Sequence, residues 1–363
     1  MLRIYRRFKL VSVWGLLLLS DFICAQEWHL VKEFPQKSFP KTVPAGNYSG
    51  ITHLDGDLYA VVSDKSDSAL FFNFRIQIDS LTGELKRVEN LGFTEYVDSS
   101  ARGEEHWDSR HKGYDHEGIA KVSAQSLVVA SEGNLYDLRE FPINPLAEPH
   151  HNLWSYSYPA GSFYPNYQLE SLTFDADRHL LWTISESTLR KDGKPSSPQN
   201  GLPNKLRLLA FDFHQQKKIV ASYAYQMDAP STHKHAEIYV MGVSELCALP
   251  DGQILVLERE AFIPKMKLGA FCKCKLYLVN PAKEKQFAFD ARFSEDTPFV
   301  EKKLVAEWNT DLSLFGRSFA NYEGMCLGPK LSNGHQVIIL LSDSQNQYAG
   351  ILKDWFKTIV ISQ

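Results

Sequence analysis

Five times along this chain a short strand-like run carries a polar or acidic residue near its start, turns, and returns as a more apolar run ending in an acidic residue. The first copy is Tyr48-Ser49-Gly50-Ile51-Thr52-His53-Leu54, returning through residues 58–63 to Asp64. The second is His116-Glu117-Gly118-Ile119-Ala120, returning through 127–131 to Glu132. The third is Leu169-Glu170-Ser171-Leu172-Thr173-Phe174, returning through 180–185 to Glu186. The fourth is Ser244-Glu245-Leu246-Cys247-Ala248-Leu249, a Pro250-Asp251-Gly252 turn, and a return through 254–257 to Glu258. The fifth is Tyr322-Glu323-Gly324-Met325-Cys326-Leu327, returning through Val337-Ile338-Ile339-Leu340-Leu341-Ser342 to Asp343. The copies recur at irregular intervals of roughly 50 to 80 residues, the signature of an architecture built from one repeated supersecondary unit.

If each copy is a hairpin, its two acidic ends meet at one edge of a sheet. Further strand candidates lie between copies, such as 69–78 with 85–93 and 206–213 with 219–225. Each repeat then supplies about four antiparallel strands, the content of a propeller blade. Both faces of a blade pack against neighbours, so an inner strand needs no apolar–polar alternation, as in 337–341. The expected fold is all-β: a β-propeller of five blades by repeat count, or six if a degenerate blade lies between Glu258 and Asn321. Strand-like residues 27–34 and 358–361 predict closure by strands from both termini, which removes an open edge.

Before the repeats, residues 1–9 carry Arg3, Arg6, Arg7 and Lys9, residues 10–19 are apolar, and Ala25 is a small residue at a suitable cleavage distance. That is the layout of a secretory signal peptide; its apolar core is short for a membrane span. Lipidation at Cys24 is the rival, and Phe22-Ile23 lack the small residues it needs. The expected organisation is a signal peptide over 1–25 and one propeller domain over 26–363, monomeric, secreted or periplasmic. Removing residues 1–25 takes away four basic residues and Asp21, moving the net charge from −4 to about −7. A mildly acidic exported chain is a poor nucleic-acid binder, and no other segment suits an integral membrane span. Cys247, Cys272, Cys274 and Cys326 remain as buried thiols or disulfides, with three possible pairings.

The chemistry is expected where the hairpins end. Glu117, Glu170, Glu245 and Glu323 open four copies and Ser49 the first; Asp64, Glu132, Glu186, Glu258 and Asp343 close all five. Around one channel these nine carboxylates repel one another and require cations, protons or basic partners. Oxygen-only sites favour a hard divalent ion, calcium first and magnesium second. The candidate metal ligands are Asp64, Glu117, Glu132, Glu170, Glu186, Glu245, Glu323 and Asp343. Glu245, Glu258 and Arg259 are candidate catalytic residues. Lys65, Arg102 and Arg259 are candidate binders of an anionic small molecule such as a phosphate ester, guanidinium being suited to bidentate contacts. The alternative for any single acid is a turn cap or a partner for a neighbouring Arg. His233-Lys234-His235 and His150-His151 read as loops. Trp154, Tyr156, Tyr158, Phe163, Tyr164 and Tyr167 form an aromatic insertion, either a lid or sugar platform or packing between blades. There is no Gly-x-Ser-x-Gly elbow, no phosphate-binding Gly-rich loop and no His-Glu-x-x-His pattern.

Taken together, Ser49-Gly50-Ile51, His116-Glu117-Gly118-Ile119-Ala120, Ser131-Glu132-Gly133, Leu169-Glu170-Ser171-Leu172, Gly242-Val243-Ser244-Glu245-Leu246, Val256-Leu257-Glu258-Arg259 and Tyr322-Glu323-Gly324-Met325 to Ser342-Asp343 resemble the phytase-like esterase domain family. The resemblance covers nearly all of the chain after residue 25. It implies an exported propeller whose acidic motif residues, here Glu117, Glu170, Glu245, Glu258 and Glu323, carry phosphoesterase activity. Ser49, and Ser171 in place of Gly, depart from the pattern. A metal-dependent phosphoesterase is therefore expected; a non-catalytic ligand-binding propeller and a calcium-dependent lactonase or carboxylesterase are the alternatives.

Overall fold

The computed structural model describes residues 27–66, 69–95, 115–132, 137–144, 154–313 and 317–363. The proposed signal peptide, Arg102 and His150-His151 lie outside these residues. β1 (His29–Glu33) and β2 (Lys37–Ser38) precede the first repeat. The first blade is β3 (Tyr48–Asp55), β4 (Leu58–Ser63), β5 (Leu70–Ile78) and β6 (Leu85–Glu95), paired in that order. The second is β7 (Asp115–Lys121), β8 (Ser126–Glu132), β9 (Leu138–Pro142) and β10 (Ser155–Tyr156). The third is β11 (Leu169–Asp175), β12 (Leu180–Ser185), β13 (Lys205–Asp212) and β14 (Ile219–Gln226). The fourth is β15 (Ile238–Ala248), β16 (Ile254–Ile263), β17 (Ala270–Val279) and β18 (Lys302–Leu312).

The fifth blade holds β19 (Asn321–Lys330), β20 (Gln336–Asp343) and β21 (Trp355–Ser362) from the end of the chain, and β1 from its beginning. His29 pairs with Ser362 and Glu33 with Ile359; β2 also pairs with β21. The ring is closed by both termini, as expected. The interval from Glu258 to Asn321 supplies the outer strands of the fourth blade, so the described residues form five blades and no sixth.

Five apolar cores fill the five seams between blades. The run in β20 shows why its sequence does not alternate. Val337, Ile339 and Leu341 pack toward the first blade, while Ile338 and Leu340 pack toward the fourth. Each is at most 1% exposed, and each such side chain contributes about 1.5–3 kcal/mol. The aromatic insertion is absorbed in the same way. Trp154, Tyr156, Tyr158 and Phe163 fill the seam between the second and third blades, with the Tyr156 ring 4.9 Å from that of Phe211. Those four side chains are packing, not a platform. Among the described residues the four cysteines are buried free thiols, and no helix is long and apolar enough to cross a membrane.

Candidate functional site

In every blade the first strand bulges beside the channel. Glu117, Glu170 and Glu323 are each an extra residue opposite a regular partner strand, and bulges re-aim side chains in this way. The first blade bulges at Ser49-Gly50. In the fourth the extra residue is Ser244, since Val243 pairs with Glu258 and Glu245 with Leu257. The fourth blade is therefore displaced by one residue from the alignment its motif suggests. Ser244, not Glu245, stands with Glu117, Glu170 and Glu323. On the return strand Glu258 takes the place of Ser63, Ser131, Ser185 and Ser342, and Arg259 falls level with Asp64, Glu132, Glu186 and Asp343.

One mouth of the channel is a cavity of about 480 Å³ lined by Asp64, Lys65, Asp115, Glu117, Glu132, Glu170, Glu186, Arg259, Asn321, Glu323 and Asp343. Of the expected site residues, the structure brings together all those within the described residues except Glu245 and Glu258. It adds Asp115 and Asn321, which the sequence reading missed. Asp115 was legible as Asp115-x-Glu117, since alternate residues of a strand share a face.

Arg259 is 3% exposed; its two terminal nitrogens are committed, while Nε is buried without a partner. Nη1 donates to Glu323 Oε1 at 2.5 Å and Asn321 Oδ1 at 2.9 Å; Nη2 donates to Glu186 Oε1 at 2.5 Å and Glu170 Oε2 at 3.4 Å. It is a counter-ion holding three carboxylates together rather than an arm free to clamp a substrate. Lys65 Nζ lies 2.5 Å from Asp64 Oδ2, with more than half of its side chain exposed. Ser49 Oγ donates to Glu117 Oε2 at 3.1 Å, Gln168 N–H to Glu132 Oε1 at 2.7 Å, and Gln345 N–H to Asp343 Oδ1 at 2.7 Å.

Away from Arg259, the carboxylates of Asp64, Asp115 and Glu117 each place an oxygen within 4.8 Å of the others. Asp64 Oδ1 is buried without a hydrogen-bond partner. Burial, followed by Glu323, Asp115 and Asp64, pushes the Glu117 carboxyl well above its ordinary range. Burial and then Asp64 raise Asp343 to about 7; burial, with Glu186 and Asp115 behind it, raises Glu132 to about 7. Glu170 and Glu323 are likewise raised, by burial and like charge against the opposing pull of Arg259. An all-oxygen donor set with an orphaned carboxylate oxygen and repelling neighbours fits a hard divalent cation.

Glu245 lies one layer deeper and is fully buried. Its Oε1 accepts N–H bonds from Leu172 at 2.9 Å and Leu246 at 3.0 Å, and Oε2 is buried without a partner. The corresponding position is glycine in the second and fifth blades for a steric reason: a Cβ on Gly118 meets Glu170 O at 2.4 Å, and one on Gly324 meets Ser49 O at 2.3 Å. Glu258 is turned sideways into a network with Tyr225 Oη at 2.7 Å and Lys302 Nζ at 2.6 Å. His233 bonds the Pro198 carbonyl at 3.2 Å, away from the mouth. The opposite end of the channel is a cavity of about 700 Å³ with no carboxylate in its lining.

Fold and mouth together define a five-bladed β-propeller with a carboxylate-rich entrance to its channel. The chain belongs to the phytase-like family, described as "esterase-like activity of phytase", whose model matches residues 43–345. None of the curated proteins matches this sequence significantly. Among solved structures, the major allergen Mala s 1 of Malassezia sympodialis is 13% identical, with 87% of this chain and 78% of that chain covered at a TM-score of 0.36. The Dos1 propeller is 9% identical, covering 86% and 68% at a TM-score of 0.32. Drosophila Semaphorin 1b extracellular domains 1–2 are 9% identical, covering 91% and 80% at 0.31. None of these three bears on function.

Proposed function

We propose that the protein is an exported, metal-dependent phosphoesterase of phytase-like type, monomeric and released from a signal peptide near Ala25. The observation that carries the catalytic part is the Asp64–Asp115–Glu117 group, with its oxygens within 4.8 Å of one another and Asp64 Oδ1 buried and unpartnered. Calcium is the first choice for such donors and magnesium the second. Bound there, the ion would supply Lewis-acid polarisation of an ester oxygen and a more acidic water. Ser49 fixes the Glu117 carboxylate from one side. Arg259 gathers Glu170, Glu186 and Glu323 and offsets one unit of their charge. Lys65, exposed at the rim, offsets the charge of an entering anion.

Hydrolysis of phosphomono- and diesters by purified protein, dependent on calcium and lost in chelator and in Asp115→Asn, tests this reading. No turnover across a broad ester panel would overturn it. The carboxylesterase or lactonase reading is favoured by one observation: among the described residues only Lys65 and Arg259 oppose eight carboxylates in the lining. It predicts turnover of carboxyl esters or lactones and none of phosphates.

A further inference from the structure

The fourth blade departs from the other four in a second respect. Its inner hairpin does not stop at the mouth. β16 continues four residues beyond Arg259 to Ile263, paired back to Ile238 in β15, whereas β4 ends at Ser63, β8 at Glu132 and β12 at Ser185. The projecting end stands as a wall beside the carboxylates. Its outer row is apolar across all four strands: Ile238 opposite Ile263, and Ala270 opposite Leu312. Facing it is the segment after β20, with Tyr348, Ile351 and Leu352, joined by Phe319. Between them is a cleft of about 270 Å³.

This cleft adjoins the acidic mouth: Ile238, Ile263, Phe319, Gln345 and Leu352 line both. It is also open to solvent along an apolar lip. Ile238 is 46% exposed and Tyr348 59%, and Met266 and Leu268, flanking the cleft residue Lys267, are 83% and 50% exposed. Apolar surface grouped this way next to a polar site marks a binding surface rather than scattered exposure.

We infer that the substrate is amphiphilic: a head of low negative charge seated among the mouth carboxylates, and an aliphatic or aromatic group lodged between the projecting end of the fourth blade and residues 348–352. The inference rests on the proposed ester hydrolysis at that mouth and narrows its substrate class. Two features select this occupant. The cleft and the acidic cavity share five lining residues, so one molecule can reach into both. Among the described residues the mouth also offers a polyanion only two cations, each already beside carboxylates: Arg259 with Glu170, Glu186 and Glu323 and Lys65 with Asp64. At about 30 Å³ per small group, the share of one water molecule, the cleft accommodates a chain of roughly eight to ten heavy atoms.

The test is equilibrium binding, which does not depend on turnover. Titration calorimetry of the full-length secreted protein with calcium compares ethyl, butyl and octyl phosphate, each below its micellar concentration. Octyl phosphate should bind at least about tenfold tighter than ethyl phosphate, as burial of the added methylenes requires. In Ile351→Trp, which fills the cleft, and in Ile263→Asp, which charges its wall, that ratio should fall at least about fivefold, and myo-inositol hexakisphosphate should not displace octyl phosphate. Equal affinity across the series, or an octyl preference unchanged in both variants, would overturn the inference. Chain-length-dependent binding without hydrolysis of any ester would instead overturn the proposed catalysis and leave the amphiphile site standing. Octyl phosphate in vesicles of zwitterionic lipid, compared with the free monomer, shows whether the exposed lip takes its ligand from a surface or from solution.

Discussion

Glu245 in the fourth blade stands where Gly118 stands in the second: both directly follow the bulged residue of the first strand. Gly118 lets two backbones touch, whereas Glu245 sends a carboxylate to collect N–H groups from the third blade and its own. It ties the third and fourth blades together near the axis.

Glu245→Ala should therefore destabilise the protein by about 3 kcal/mol, because the buried N–H groups of Leu172 and Leu246 lose their acceptor. Glu245→Gln keeps one oxygen acceptor and should cost about 1 kcal/mol. Chemical denaturation reads both. Equal losses in the two variants would contradict the tie.

Calcium affinity separates the mouth from its surroundings. Asp115→Asn and Glu117→Gln should weaken calcium binding at least about tenfold by calorimetry. Glu258→Gln, at a residue held by Tyr225 and Lys302, should leave it within about twofold. A large effect at Glu258 would place the ion elsewhere.

Arg259→Met leaves Glu170, Glu186 and Glu323 buried without their counter-ion. A loss of about 3–5 kcal/mol is expected, as for other buried pairs broken from one side. Adding Glu186→Gln should recover part of it, since one uncompensated charge is then removed. A double variant no more stable than Arg259→Met would contradict the counter-ion role.

The sign of the pH dependence follows from the raised carboxyls. Glu132 and Asp343 are raised to about 7 in the folded chain, above their unfolded range, and Glu117, Glu170 and Glu323 are raised as well. Groups of this kind favour the folded state while protonated. Their contribution is complete below the ordinary carboxylate range and is lost as pH rises through about 7. In chelator, Tm should fall between pH 5 and 8; added calcium should flatten the fall by replacing the missing protons. A chelated protein whose Tm holds steady or rises over that range would be inconsistent with these shifts.

The ring of five was legible because its signal is redundant: each hairpin repeats a turn, an apolar return and an acidic end. The register inside the fourth blade was not. Ser244-Glu245-Leu246 aligns with Glu117-Gly118-Ile119 as readily by its Glu as by its bulge. Only the pairing of Val243 with Glu258 separates the two, and a one-residue slip moves every side chain to the other face. That slip removed Glu245 and Glu258 from the mouth and delivered Arg259 to it. Asp115 was passed over for a related reason, as it lies at the end of a polar insertion whose strand begins only there. The cleft beside the mouth has no motif at all; it arises where the fourth blade outgrows its neighbours, a length difference visible only once strands are paired.

Because His29 finds its partner at Ser362, the first strand of the ring to be synthesised is the last to be satisfied. Four blades can assemble as the chain emerges, but the fifth waits for both ends. Pairings of such long sequence separation are slow to form. During that wait the partner edge of β21 and the seam cores beside it are the surfaces on which a second unfinished chain would add its own strand. The closure that leaves the finished ring without an open edge thus makes the arrival of β21 the moment of greatest exposure to misassembly.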